Sequence, residues 1–210
     1  MLVLVRHGES EGNAARLLLG RLESPLTDVG RAQATAVAKE LGQSGQIGQL
    51  ISSPLGRALK TAEILARGME VACGMEVARG IQVEVDPRWI EVDYGEYDGA
   101  RLAEVPHEVW QKWRADTSYR PPGGESLADV GRRVRSACEE LFAAKDSRAR
   151  SGEDVVVVSH VSPIKAAVAW ALGLSDSSVW RLYLATGSVT RIAWGVDGPV
   201  LHAFNTVPPS

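Results

Sequence analysis

The chain has 210 residues, enough for one domain with a sizeable buried core. Its 45% hydrophobic and 23% charged residues match an ordinary globular protein, and a net charge of −3 without a lysine–arginine run argues against nucleic acid and anionic membrane as principal partners. Cys73 and Cys138 show neither metal-ligand spacing nor a disulfide framework, and the apolar run before Arg6 is too short for a signal peptide or membrane span, so a cytoplasmic location is expected.

The first predicted element is Leu2–Val5, a strand apolar at every position and therefore buried on both faces. It runs directly into Arg6, His7 and Gly8. These residues either cap the strand at the surface or meet a ligand at its carboxyl end, where open α/β sheets place their sites. A helix follows over Asp28–Leu41, with Thr27 as N-cap. A second strand, Gln49–Ser52, leads into a helix over Pro54–Arg67, with Ser53 as cap and proline at the first helical position. The hexapeptide at Gly68–Cys73 is nearly duplicated at Gly74–Arg79; the copy is too short to be a repeat architecture and is read as a longer helix end or loop.

Val83–Val85 is the third strand, followed by the acidic loop Trp89–Gly99. Within Gly99–Gly124, three prolines and two tryptophans suggest an inserted cap of short helices at the sheet's edge. Trp110 and Trp113 share a helix face and are read as packing residues rather than a substrate lid. A helix over Leu127–Lys145 begins at Ser126, with Asp129 favouring its N-terminus, and Cys138 is read as a small core residue within it. The strand Val155–Val158 then ends in His160, before a helix over Pro163–Leu172 capped by Ser162. Ser188–Trp194 and Val200–Phe204 are edge or antiparallel strands. Strands alternating with helices imply a three-layer α/β/α fold with a mostly parallel central sheet, and the short connections imply a single domain over 1–210.

Two histidines, His7 and His160, thus end two all-apolar strands. Arg57 lies one turn into its helix, and helical side chains lean toward the N-terminus, so its guanidinium can address whatever sits before that helix. With Arg6 it would line a donor-rich pocket suited to a phosphate dianion. A metal fits poorly, because both arginines would repel a cation and the remaining histidines, His107 and His202, lack partner spacing. No metal and no cofactor are expected. Phosphate binding alone does not require two histidines. One of them must therefore do chemistry; if His7 attacks phosphorus, the leaving oxygen needs a carboxyl proton donor, for which Glu91, between Ile90 and Val92, is the candidate.

The segments "LVRHGES" with Asn13, "PLTDVGRAQA", "SSPLGRALKTA", "EVDYGEYDG", "GGES" and "VVVVSH" occur in this order over nearly the whole chain. The sequence resembles the histidine phosphatase (phosphoglycerate mutase-like) superfamily. The resemblance implies a phosphorylated His7, a phosphoryl group held by Arg6, Arg57 and His160, proton donation by Glu91, and contacts to phosphate or substrate at Ser10 and Asn13. Gly20 and Tyr94 complete the candidate substrate-binding set, while Arg21 and Lys165 are read as surface residues. Mutases of this family carry a basic pair after the cap tryptophan and Gly-Asn after the second histidine; here Arg114 precedes Ala115, and Val161–Ser162 follows His160. The resemblance therefore favours a metal-independent phosphatase of a small phosphorylated substrate over a cofactor-dependent phosphoglycerate mutase or a non-catalytic phosphate-binding module. The oligomeric state is left open, a homodimer included.

Overall fold

The computed structural model describes residues 1–44, 46–72, 81–144 and 153–209. Its strands are β1 (Leu2–Arg6), β2 (Gln46–Ser52), β3 (Val83–Val85), β4 (Glu153–Ser159), β5 (Val189–Trp194) and β6 (Pro199–Thr206). The helices are α1 (Glu11–Ala14), α2 (Asp28–Ser44), α3 (Gly56–Ala72), α4 (His107–Ala115), α5 (Leu127–Ala143) and α6 (Val161–Ala171). The strands form one sheet in the order β3-β2-β4-β1-β5-β6. β3, β2, β4 and β1 are mutually parallel, and β5 alone runs against the rest. The fold is the expected three-layer arrangement.

Alternation along β1 and β4 explains why Leu2–Val5 and Val155–Val158 are apolar at every position. Val3, Val5, Val156 and Val158 face a core with Val37 and Leu41 of α2 and Leu65 and Met69 of α3. Leu2, Leu4, Val155 and Val157 face Val130, Val134 and Leu141 of α5 and Ile164 of α6. Each fully buried side chain of this kind contributes about 1.5–3 kcal/mol of hydrophobic stabilisation. Cys138 is fully buried in the second core, as its place in α5 implied.

Helix starts divide into two kinds. α2 and α5 begin where their local caps place them: Thr27 Oγ1 accepts from the Gly30 N–H (3.0 Å), and Ser126 and Asp129 bond reciprocally. The helix expected from Pro54 instead starts at Gly56, whose N–H is accepted by Glu23 from across the fold (3.1 Å). The helix expected from Pro163 starts at Val161, with His160 at its N-cap and Ser162 in the first turn, because Glu91 receives the Ser162 N–H. In both, a distant carboxylate accepts an N–H of the first turn, while Ser53 takes the Leu55 N–H (3.3 Å) just ahead of α3.

Other bounds shift by a few residues. α2 runs three residues past Leu41, and β2 starts at Gln46 with an irregularity between Ile47 and Gln49. α5 ends at Ala143, and Lys145, the expected end, lies outside the described residues. The first copy of the duplicated hexapeptide closes α3 through Ala72; Cys73 and the copy at Gly74–Arg79 lie outside the described residues. No helix among the described residues is long and apolar enough to cross a membrane.

Candidate active site

β1 and β4 are neighbours, yet the chain leaves them toward opposite faces, through α2 on one side and α6 on the other. A crevice opens where such connections diverge at the carboxyl ends of parallel strands. His7 continues β1 into it, its N–H bonded to the Ser159 carbonyl (3.0 Å), and His160 follows β4. Gly8 is required next: a β-carbon there would stand 2.2 Å from the Gly30 carbonyl oxygen of α2. The tight approach turns the chain away and leaves the His7 ring at the strand's end.

The two imidazoles lie 5.0 Å apart, centroid to centroid, inclined at 59°. His7 Nδ1 is 2.7 Å from the Gly8 carbonyl oxygen. A carbonyl only accepts, so Nδ1 carries the proton and the lone pair lies on Nε2. Burial, followed by the charges of Arg6 and Arg57, holds the His7 pKa well below 6.5. The ring is therefore a neutral imidazole with its nucleophilic nitrogen available. His160 is fully buried, its pKa likewise held down by burial and then by His7 and the two arginines. Its Nε2 is 2.7 Å from Ser53 Oγ, and its buried Nδ1 has no protein partner.

Arg57 is 1% exposed, and its two terminal nitrogens donate to the carbonyls of Leu22 (2.9 Å) and Gly20 (2.6 Å). Arg6 donates Nη1 to the Leu184 carbonyl (2.6 Å). The Nε groups of both arginines are buried without a protein partner. Burial lowers both guanidinium pKa values, with Glu91 the largest opposing influence on each. Glu91, 3% exposed, accepts from the N–H groups of Val92 (2.8 Å) and Ser162 (3.2 Å) through Oε1, while Oε2 makes only a long contact to Ser162 (3.4 Å). Two neutral imidazoles, two guanidiniums and the Glu91 carboxyl group thus converge on one cup with an excess of positive charge and buried, unused donors. Such an arrangement is chemically able to receive a tetrahedral oxyanion.

The model of the histidine phosphatase superfamily, branch 1, matches residues 2–207. The chain belongs to this superfamily. A bifunctional protein, Rv2228c, of Mycobacterium tuberculosis is 36% identical over 94% of this chain and 51% of its own length, so the chain spans about half of that curated relative. A probable phosphoglycerate mutase, GpmB, of Proteus mirabilis is 34% identical, covering 97% of this chain and 92% of its own. Among solved structures, the mycobacterial glucosyl-3-phosphoglycerate phosphatase Rv2419c in complex with VO3 superposes with a TM-score of 0.82 at 31% identity, covering 97% of this chain and 98% of its own. A phosphoserine phosphatase of Entamoeba histolytica, in complex with phosphoserine, gives a TM-score of 0.80 at 25% identity, covering 98% and 96%.

In this histidine phosphatase fold the remaining candidates play different parts. Ser10 and Asn13 form the capping box of α1 and bond chiefly to each other. Gly20 has both backbone groups engaged, its N–H on Asp98 (2.8 Å) and its carbonyl on Arg57. Tyr94 borders the cup beside a cavity of about 80 Å³, lined also by Trp110, Trp113, Trp180, Ser162 and Lys165. Its phenol is desolvated and lies near Glu91, and both push its pKa up. Trp113 is the packing residue expected, 1% exposed among Leu18, Val105 and Val109.

Lys165, read as a surface residue, is instead half-buried: burial lowers its pKa, Glu91 raises it and Arg6 lowers it further. Its position one turn after Ser162 on the helix that starts at the crevice is the signal that marked it. Arg21 is the exposed residue expected, paired with Asp93 (3.2 Å) and Glu125 (3.4 Å). Ser53, expected only as a helix cap, also orients His160. Among the described residues, no group of three or more His, Cys, Asp or Glu side chains is placed to hold a metal ion.

The buried imidazoles also make stability pH-dependent. Unfolded, each takes up a proton below about pH 6.5, whereas the folded state keeps them neutral. The unfolded chain therefore binds more protons as pH falls below 6.5, so the unfolding free energy should drop there and stay flat above, by on the order of 1 kcal/mol per imidazole at pH 5.5. Urea titrations at pH 5.5 and 7.5 should show this loss, and it should be smaller in His160→Gln.

Proposed function

We propose that this protein hydrolyses small phosphomonoesters through a phosphohistidine intermediate at His7, without a metal ion. The observation that carries the reading is the His7 Nδ1–Gly8 carbonyl bond, which keeps the neutral Nε2 lone pair available within a cup of buried guanidiniums. In the first step Nε2 attacks phosphorus, the ester P–O bond breaks, and Glu91 gives its proton to the departing oxygen. Oε2 is the natural carrier of that proton, since Oε1 accepts the two shorter N–H bonds. The phosphorylated ring keeps its Nδ1 proton on Gly8. In the second step water attacks phosphorus, the Glu91 carboxylate takes the water proton, the N–P bond breaks, and phosphate leaves. Arg6, Arg57 and His160 stabilise the charge on the transferring oxygens throughout.

The alcohol departs on the side of its proton donor. Val92 and Ser162, whose N–H groups bond Glu91, also line the 80 Å³ cavity. Its mostly apolar walls and the Lys165 amine suit a small leaving group with a short apolar stem. The similar structures named as glucosyl-3-phosphoglycerate and phosphoserine phosphatases make phosphorylated small metabolites the first substrates to test. Such substrates fit a cytoplasmic location.

Relatives named as probable phosphoglycerate mutases keep mutase activity as the second reading. A mutase must hold a bisphosphorylated intermediate while it reorients, which calls for extra cations. The cap's cations have partners of their own: Arg114 lies over the Trp180 ring (5.8 Å), Lys112 over the Tyr119 ring (6.0 Å), Arg101 beside Glu104 (3.9 Å) and Arg120 on Asp129 (2.8 Å). That favours hydrolysis. Phosphate release from nitrophenyl and alkyl phosphates in the presence of chelator tests the reading, with a parallel assay for interconversion of phosphoglycerates. Glu91→Gln should slow alkyl esters far more than nitrophenyl phosphate, whose leaving group needs little proton help. Equal losses on both would remove Glu91 as the acid.

A further inference from the structure

Asp98 lies outside the cup, yet its carboxylate gathers three successive backbone N–H groups. Oδ1 accepts from Gly20 (2.8 Å), and Oδ2 accepts from Arg21 (2.7 Å) and Leu22 (2.9 Å). The carbonyls of two of these residues, Gly20 and Leu22, receive the two terminal nitrogens of Arg57. Segment 20–22 is thus a short relay of peptide dipoles, with its donors on an anion and its acceptors on a cation. We infer that Asp98 is a positioning residue for Arg57: by fixing segment 20–22 it fixes the guanidinium fork and leaves Nε as the donor presented to the phosphoryl group.

Three further observations support this. Asp98 is itself anchored beside the segment, because the Gly99 N–H bonds the Leu18 carbonyl (2.8 Å) and the Leu18 N–H bonds the Ala100 carbonyl (2.7 Å). Gly20 admits no side chain: a β-carbon would stand 2.7 Å from the Val92 carbonyl oxygen and 3.2 Å from Asp98 Oδ2. Glu23 closes the other end of the loop on the Gly56 N–H, one residue before Arg57. Asp98 and Glu23 also offset electrostatically part of the burial of the Arg57 charge. The arginine is therefore held from the loop side through its fork and from the helix side through its backbone.

The inference rests on the proposed hydrolase reading, and a double-mutant cycle separates the two. Asp98→Asn keeps the shape of the side chain but replaces one acceptor oxygen with an amide nitrogen, so at least one of the three N–H groups loses its partner. Steady-state hydrolysis of nitrophenyl phosphate by the wild type, Asp98→Asn, Arg57→Ala and the double variant is the measurement. Asp98→Asn should lower kcat about tenfold to a hundredfold, as expected for a misplaced transition-state contact. In the Arg57→Ala background the same substitution should cost less than about twofold, because the group it positions is already gone.

Thermal unfolding of each variant checks that the fold is kept. Should Asp98→Asn not fold, Asp98→Glu keeps the charge but displaces the carboxylate by one methylene from the three N–H groups, and should show the same silence in the Arg57→Ala background. Wild-type kcat in Asp98→Asn, or equal losses in both backgrounds, would overturn the inference. Absence of turnover in the wild type would instead overturn the hydrolase reading and leave Asp98's role to be read from vanadate binding, which Asp98→Asn should weaken only when Arg57 is present.

Discussion

His7→Ala should lose phosphate release by at least about four orders of magnitude while still binding phosphate or vanadate. The loss follows from the proposed covalent route, in which His7 Nε2 is the attacking atom. His160 is close, at 5.0 Å between rings, but Ser53 holds its Nε2 and fixes the ring's position, whereas the Gly8 carbonyl turns the His7 lone pair onto Nε2. Binding should persist because Arg6, Arg57 and His160 remain. Acid-labile phosphate should be trapped on the wild-type chain with labelled substrate and be absent from His7→Ala. Substantial activity in that variant would end the nucleophile assignment.

In the proposed mechanism the same ring sets the acid side of the pH profile. A histidine pKa lowered by burial and by two neighbouring guanidiniums means that the imidazole stays unprotonated until the pH falls well below 6.5. The acid limb of kcat/KM, which reports the free enzyme, should therefore lie well below that value.

Arg57→Ala should lower kcat by two or more orders of magnitude. Arg57 brings a positive charge into a buried site, where a preorganised donor stabilises developing charge strongly. Arg57→Lys should recover little of the loss. The fork donates to two carbonyls 2.9 and 2.6 Å away while keeping a third N–H direction free, and a single ammonium cannot reproduce that planar geometry. The measurement is kcat on nitrophenyl phosphate with thermal unfolding alongside, since removing the guanidinium also leaves the Gly20 and Leu22 carbonyls without their donor. Near-normal kcat in a folded variant would contradict the role given to this cup.

The elements that organise the cup could be read from local pattern because their causes are local. The centres of β1 and β4, Leu2–Val5 and Val155–Val158, show themselves as apolar at every position since both sheet faces are covered, and the caps of α2 and α5 lie within three residues of the groups they bond. The ends of those strands mark His7 and His160, and Arg57 follows from helical lean. Lys165 and Asp98 escaped the same reading. A lysine at helical spacing and an aspartate in an acidic loop look like solvated residues until the chain around them is placed.

The amino-acid sequence by itself determined the layered fold, the two histidines at strand ends and the basic pair beside them, because alternation, turn chemistry and capping act between near neighbours. Only the tertiary structure decided what those groups do to one another. It brings residues 7 and 160 together because β1 and β4 pair in register, caps α3 and α6 with Glu23 and Glu91, and clamps Arg57 with a loop held by Asp98. These contacts join residues 33 to 78 positions apart or more, and strand order and burial, rather than local preference, bring such groups within hydrogen-bonding distance.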